Sequence, residues 1–225
     1  MSESIEFDAR DLNSFPLHAT PLRKVAVPVL GVAVRGLVRL EVEGLKNVPA
    51  DGPIILASNH VSNFDVFPMQ LAMPRPIFFM GKAELFKFAP IGAVLRDLGA
   101  FPVHRGENDA WALRHARRVL DHRQTLGMFP EGTRSRGRGL GIARTGTARL
   151  AIEAHCPILP AIVTGSDQLF RFFPLRTQVK ITFLPPILPK ATEDLSSLTD
   201  RLMYTLAAAL PEEMRGVYGD VRRRT

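Results

Sequence analysis

The chain has 225 residues, 46% of them hydrophobic and 23% charged, with a formal net charge of +7. That length and mixture describe one large domain with a buried core, and exclude a largely disordered chain. Cys156 is the single cysteine, which excludes an internal disulfide or a multi-cysteine metal site. The basic surplus, mostly arginine, suits a partner rich in phosphate or an anionic membrane face.

Residues 1–20 read as a polar leader. The acidic N-terminus lacks the pattern of a secretory signal, so the expected location is cytoplasmic. No apolar stretch reaches the roughly 18 residues of a spanning helix. The nearest, residues 25–34, contains Pro28 and Gly31 and stops at Arg35. Residues 21–40 are strongly apolar, with Arg23, Lys24, Arg35 and Arg39 toward the ends. Residues 21–36 are expected to form an amphipathic helix lying on a membrane surface that carries anionic lipid. The competing reading packs this helix on the domain's own core.

From residue 37 to 215, seven apolar runs alternate with helix-like stretches: 38–44, 53–59, 76–81, 99–103, 125–130, 157–163 and 178–185. Near-continuous hydrophobicity marks strands covered on both faces. Residues 108–120, 143–155 and 195–210 carry apolar residues at spacings of three and four. The alternation predicts a single α/β domain with a largely parallel mixed sheet flanked by helices. Residues 216–225 read as a basic tail.

Three strand exits carry polar groups, and in open α/β sheets such exits border the ligand crevice. The run at 53–59 leads into Asn59-His60-Val61-Ser62-Asn63-Phe64-Asp65. Five residues across a turn can set the Asp65 carboxylate beside the His60 imidazole, fixing its tautomer for general-base work. Equally, Ser62-x-x-Asp65 matches a capping box, in which Asp65 only caps a helix. Ser62 itself fits a cap better than a nucleophile. The run at 99–103 ends in His104-Arg105, and the run at 125–130 in Glu131-Gly132-Thr133-Arg134-Ser135. Arg, Thr and backbone N–H groups make an anion pocket; a solvated turn with a surface ion pair is the alternative. Lys82, at a further strand exit, is a candidate phosphate contact, and the histidines at 104, 115, 122 and 155 lack metal-ligand spacing, so no metal is expected.

Taken together these residues resemble the glycerophospholipid acyltransferase family, typified by 1-acylglycerol-3-phosphate acyltransferases. The resemblance rests on His60-x4-Asp65, on Phe101-Pro102-Val103-x-Arg105, and on the unbroken Phe129-Pro130-Glu131-Gly132-Thr133-Arg134-Ser135. A short proline-containing stretch at 158–163 is similar to a fourth block. Many relatives carry Phe-Lys before the glycine that follows the third block; here Ile142-Ala143-Arg144-Thr145-Gly146 stands there, so that role falls to Arg144 or is absent.

The resemblance implies transfer of an acyl group from an acyl-CoA or acyl-carrier-protein thioester to the free hydroxyl of 1-acylglycerol-3-phosphate, forming phosphatidic acid, with no cofactor beyond that co-substrate. His60 and Asp65 are then catalytic. Arg105, Glu131, Gly132, Thr133 and Arg134 would hold the acceptor's phosphate, with Asn59, Lys82 and Arg144 as further contacts. Glu131 repels a phosphate, so orienting Arg134 or a substrate hydroxyl suits it better. Glycerol 3-phosphate and other lysophospholipids are alternative acceptors. A thioesterase using the same pair on water, and a basic lipid- or nucleic-acid-binding module, are rivals of other classes. Nucleic acid as a partner is disfavoured by the low aromatic content, 8%, most of it in apolar runs. The implied place is peripheral, on the inner face of the cell membrane.

Overall fold

The computed structural model describes residues 8–104, 109–135, 137–169, 171 and 175–219. Seven strands form one sheet: β1 (Val38–Glu43), β2 (Ile54–Ser58), β3 (Ile77–Lys82), β4 (Ala100–Val103), β5 (Thr125–Met128), β6 (Ile158–Thr164) and β7 (Thr177–Phe183). Their order is β1-β7-β6-β2-β5-β3-β4. Every pairing is parallel except β6 with β7. The predicted α/β class and the largely parallel mixed sheet are what the chain adopts, and each apolar run supplies one strand.

The central strand β2 shows why. Ile55 and Ala57 join a hydrophobic cluster with Trp111, Ala116, Ala148, Leu198 and Leu202. Ile54 and Leu56 join a second cluster with Val34, Met69, Leu159 and Val163. Alternate residues of a strand face opposite ways, so a strand covered on both faces must be apolar throughout. The first face is covered by α4 (Ala110–Asp121), α5 (Gly146–Glu153) and α6 (Leu195–Ala209). The second is covered by α1 (Pro21–Leu37) and α2 (Val66–Ala72). A further helix, α3 (Ala89–Asp97), links β3 to β4; it has no apolar periodicity facing the core and was not expected from the pattern.

Helix α1 begins with Thr20, whose Oγ1 accepts from the Arg23 N–H at 3.0 Å, followed by Pro21 in the first turn. This is a favoured N-terminal arrangement, because proline has no N–H to leave unpaired there. Gly31 and Val34 face the domain, whereas Leu22, Val25, Val29 and Val32 are exposed. The helix thus packs one face on the domain and leaves an apolar stripe outward.

Arg23 corrects the expected ring of four lipid-facing charges. It is buried, donating from Nη2 to Gln70 Oε1 at 2.9 Å and to the Ile77 carbonyl at 2.7 Å. Its guanidinium lies 4.8 Å from the Phe78 ring centroid, a cation–π contact. Burial pulls its pKa down to about 10. Lys24, Arg35 and Arg39 remain exposed.

The described part of the polar leader is tied to the domain. Arg10 clasps Asp109 through two hydrogen bonds of 2.6 and 2.8 Å. It also lies 4.5 Å from the Trp111 ring centroid, and the Trp111 indole donates to Asp11 at 2.7 Å.

Candidate active site

The exits of β2, β5 and β6 meet because the three strands are parallel neighbours in register, with Ala57 opposite Met128 and Ser58 opposite Ala161. Past β2, His60 Nδ1 lies 2.7 Å from Asp65 Oδ2. The same oxygen accepts from the backbone N–H groups of Val61 at 2.9 Å and Ser62 at 3.0 Å, and the Ser62 hydroxyl accepts from Phe64 N–H at 3.2 Å. The capping box and the His–Asp pair therefore coexist: one carboxylate oxygen closes the turn and holds the imidazole.

An ionised carboxylate accepts only, so Nδ1 carries the hydrogen and Nε2 carries the lone pair. Among the described residues Nε2 makes no hydrogen bond. The ring stacks on Phe129, with centroids 3.9 Å apart and planes 14° apart, which fixes it from a second side.

The sequence pattern missed Ser166, at the exit of β6. It is fully buried, and its hydroxyl donates to Asp65 Oδ1. Gly165 makes the turn that brings it there: its φ is +82°, and a Cβ at that position would meet the Gln178 carbonyl oxygen at 2.1 Å. The available signal was a serine and a glycine just past a strand paired beside the one that ends at His60.

Glu131 is buried, and its carboxylate accepts from the backbone N–H groups of His60 at 3.2 Å and Gly141 at 2.8 Å. Burial raises its pKa above the usual carboxylate range, while those two N–H groups pull the other way. Through these two bonds the carboxylate ties the His60 turn to the loop at 139–141, and among the described residues it makes no hydrogen bond or ion pair with Arg134. Asn59 is likewise a clamp. Its amide donates to the Val163 carbonyl and accepts from the Val163 N–H, both at 2.8 Å, locking β2 to β6. Asn59 and Glu131 line a separate cavity of about 260 Å³.

His60 opens on a cavity of about 170 Å³ lined by Met80, Val103, Met128, Gly132 and Arg144 among others. Apolar walls with one base and one exposed guanidinium suit an amphiphilic ligand. Arg144 is held at its backbone, the N–H donating to the Pro130 carbonyl at 2.9 Å. Arg134 is half-buried and Thr133 exposed on the same turn. Among the described residues neither Arg134 nor Arg144 forms an ion pair, so both keep their donors for an anion. Lys82 is exposed at the end of β3, pairs with Glu84 at 3.3 Å and does not line the cavity. Arg105 lies outside the described residues. No three His, Cys, Asp or Glu side chains among the described residues are grouped to hold a metal.

The acyltransferase family model matches residues 39–164, more than half the chain. The protein belongs to the acyltransferase family. Its similarity extends to the crystal structure of the 1-acyl-sn-glycerophosphate (LPA) acyltransferase from Thermotoga maritima, with a TM-score of 0.66 and 25% identity. That match covers 83% of this chain and 79% of the other. Among curated proteins it is 26% identical to sheep 1-acyl-sn-glycerol-3-phosphate acyltransferase alpha, over 78% of this chain and 64% of the relative. It is 30% identical to the Bacillus subtilis 1-acyl-sn-glycerol-3-phosphate acyltransferase, over 60% of this chain and 66% of that protein. The chain thus spans a little under two thirds of the length of these curated relatives. His60, Asp65, Glu131, Arg134 and Ser58–Asn59 all fall within the matched residues; Ser166 lies just beyond them.

Proposed function

We propose that this acyltransferase moves a fatty acyl group from an acyl-CoA or acyl-carrier-protein thioester to the free hydroxyl of 1-acylglycerol-3-phosphate, forming phosphatidic acid at the inner surface of the cell membrane. The observation that carries this reading is the His60–Asp65 pair at 2.7 Å, opening on a mostly apolar cavity lined by Arg144, which forms no ion pair among the described residues. The names of the matched relatives support the acceptor.

A thioester is already activated, so no acyl-enzyme is needed. Nε2 of His60 takes the proton of the acceptor hydroxyl as its oxygen attacks the thioester carbonyl carbon. The tetrahedral intermediate collapses, the C–S bond breaks, and the imidazolium returns the proton to the departing thiolate. Asp65 stabilises the imidazolium between these two transfers. Arg134, with Arg144 and Arg105, holds the phosphate through charge-assisted hydrogen bonds, which sets the hydroxyl at the base. The exposed stripe of α1, with Lys24 and Arg35 beside it, keeps the enzyme on the surface where a lysolipid resides.

The test is transfer of radiolabelled acyl groups from acyl-CoA and from acyl-carrier protein to 1-acylglycerol-3-phosphate, glycerol 3-phosphate and lysophosphatidylcholine, with free thiol measured alongside. Labelled phosphatidic acid formed in step with thiol release supports the proposal. Thiol release that is independent of any acceptor makes the protein a thioesterase and overturns it.

A further inference from the structure

We infer that α3 and the turn leading into it form a second lipid-contacting surface, seating the mouth of the His60 cavity on an anionic bilayer. The inference deepens the proposed function and rests on its membrane-resident acceptor.

After β3 the chain runs Lys82-Ala83-Glu84-Leu85-Phe86-Lys87-Phe88 and enters α3. Phe86 is the inward anchor: its ring packs so closely over Gly81 that a Cβ there would sit 2.9 Å from it, and its carbonyl lies against Gly92. With Phe86 and Gly92 turned to the domain, the opposite side presents Leu85, Phe88, Ile91 and Val94, which are 53%, 63%, 52% and 51% exposed. Ala89, Pro90 and Ala93 are exposed between them. A helix on a soluble surface places polar residues outward; this one is apolar outward from Ala89 to Val94. A contiguous exposed apolar patch marks an interaction site.

Three observations identify the bilayer as its occupant. Lys87 is exposed at the edge of the patch, beside Lys82, which is paired with the exposed Glu84, so the edge carries a net positive charge where cations meet anionic headgroups. The patch adjoins the other outward apolar surface, because Thr20 at the start of α1 donates to Asp97 at the end of α3 at 2.8 Å. It also grows directly from the wall of the cavity, since Met80 lines that cavity two residues before Lys82. An acyl chain held in the membrane could then enter without crossing water.

The experiment uses the full chain and sucrose-loaded vesicles of phosphatidylcholine with and without phosphatidylglycerol. The double variant Phe88→Asp/Ile91→Asp alters exposed side chains only. It is expected to weaken sedimentation with phosphatidylglycerol vesicles at least about tenfold, while turnover on a water-soluble short-chain acceptor stays at the wild-type value. Separately, the tryptophan introduced by Phe88→Trp is expected to be quenched by vesicles carrying brominated acyl chains. Undiminished sedimentation of the double variant, or an unquenched tryptophan, overturns the inference. So does a wild-type dimer in vesicle-free solution that the double variant turns into a monomer, because the patch then joins two copies of the chain. Vesicle binding is read without catalysis, so failure of the acyl-transfer reading would show as absent transfer to every acceptor with docking intact.

Discussion

Ser166 and His60 hold opposite oxygens of one carboxylate: the serine hydroxyl donates to Oδ1 of Asp65 while His60 Nδ1 lies against Oδ2. Asp65 is fully buried, so each donor matters for holding its carboxylate in place. Hydrogen bonds to charged groups are worth roughly 1.5–3 kcal/mol. Ser166→Ala is therefore expected to lower kcat about tenfold or more with KM little changed. Ser166→Thr, which keeps the hydroxyl, should hold kcat nearer the wild type. A fall in KM-related terms alone, with kcat intact, would show that Ser166 serves only the turn.

Asp65→Asn separates charge from shape. The amide oxygen can face the three N–H groups on the His60 side, and the amide NH₂ can face Ser166, whose hydroxyl can turn round and accept. The fold is thus expected to survive with a melting temperature near that of the wild type, while kcat falls by at least about 10²-fold because the imidazolium loses its counter-charge. His60→Ala should do at least as much damage to kcat. A folded His60→Ala enzyme with native turnover removes the proposed chemistry.

Glu131→Gln tests a different link. Both carboxylate oxygens face backbone N–H donors, and glutamine can offer an acceptor to only one of them. Its NH₂ must confront the other, pushing either the His60 turn or the loop at Gly141 away. The expected result is a kcat loss of about tenfold or more, with acceptor KM changed less than it is by Arg134→Ala. Arg134→Ala should mainly raise that KM, by the equivalent of roughly 2–3 kcal/mol, and Arg134→Lys should restore it only in part because the planar fork is lost.

These pairings also show what the sequence could and could not reveal. The strands were legible because burial on both faces leaves only apolar residues, as in Ile54 through Ala57. The His60–Asp65 pair was legible because both partners sit in one turn. The roles of Asn59, Glu131 and Arg23 were not, because their partners, Val163, Gly141 and Ile77, are brought near by the sheet and its loops rather than by spacing. Residue type alone assigned an arginine beside an apolar helix to lipid and an asparagine beside a histidine to substrate. Helix α3 was missed for a related reason: its apolar side faces outward, so its pattern does not mark a core-facing stripe.

His115 gives the fold an acid sensitivity. It is 4% exposed, stacks on Trp111 with ring centroids 5.1 Å apart, and leaves Nδ1 without a partner. Burial lowers its pKa from 6.5 to about 4. Between those values the unfolded chain binds a proton that the folded one does not. Its contribution to stability is therefore complete above pH 6.5 and is lost as the pH falls toward 4, a change of about 3 kcal/mol. Glu131 works in the opposite sense, since its raised pKa penalises the fold as the pH climbs past the usual carboxylate value. His115→Leu removes only the first effect. The drop in melting temperature from about pH 7 to about pH 5 is expected to shrink or reverse in that variant, and an unchanged drop would place the acid sensitivity elsewhere.

Arg23 and Lys24 are neighbours on α1 with opposite fates, and substituting each in turn tests how the helix divides its work. Arg23 is inside, bonded to Gln70 and Ile77; Lys24 is exposed beside the apolar stripe. Removing a buried cation takes a donor from the Ile77 carbonyl, leaves Gln70 Oε1 with only the Ile77 N–H, and opens a void. Arg23→Ala is therefore expected to cost about 2–4 kcal/mol of stability, visible in chemical denaturation, with vesicle binding altered only as far as the fold is lost. Lys24→Glu together with Arg35→Glu should leave denaturation unchanged and weaken binding to phosphatidylglycerol vesicles, each cation near the surface being worth about 1 kcal/mol. The weakening should be largest at low salt, where the charges are least screened. Equal vesicle binding by the charge-reversed variant at low salt would mean that α1 serves the domain alone and that the surface is gripped elsewhere.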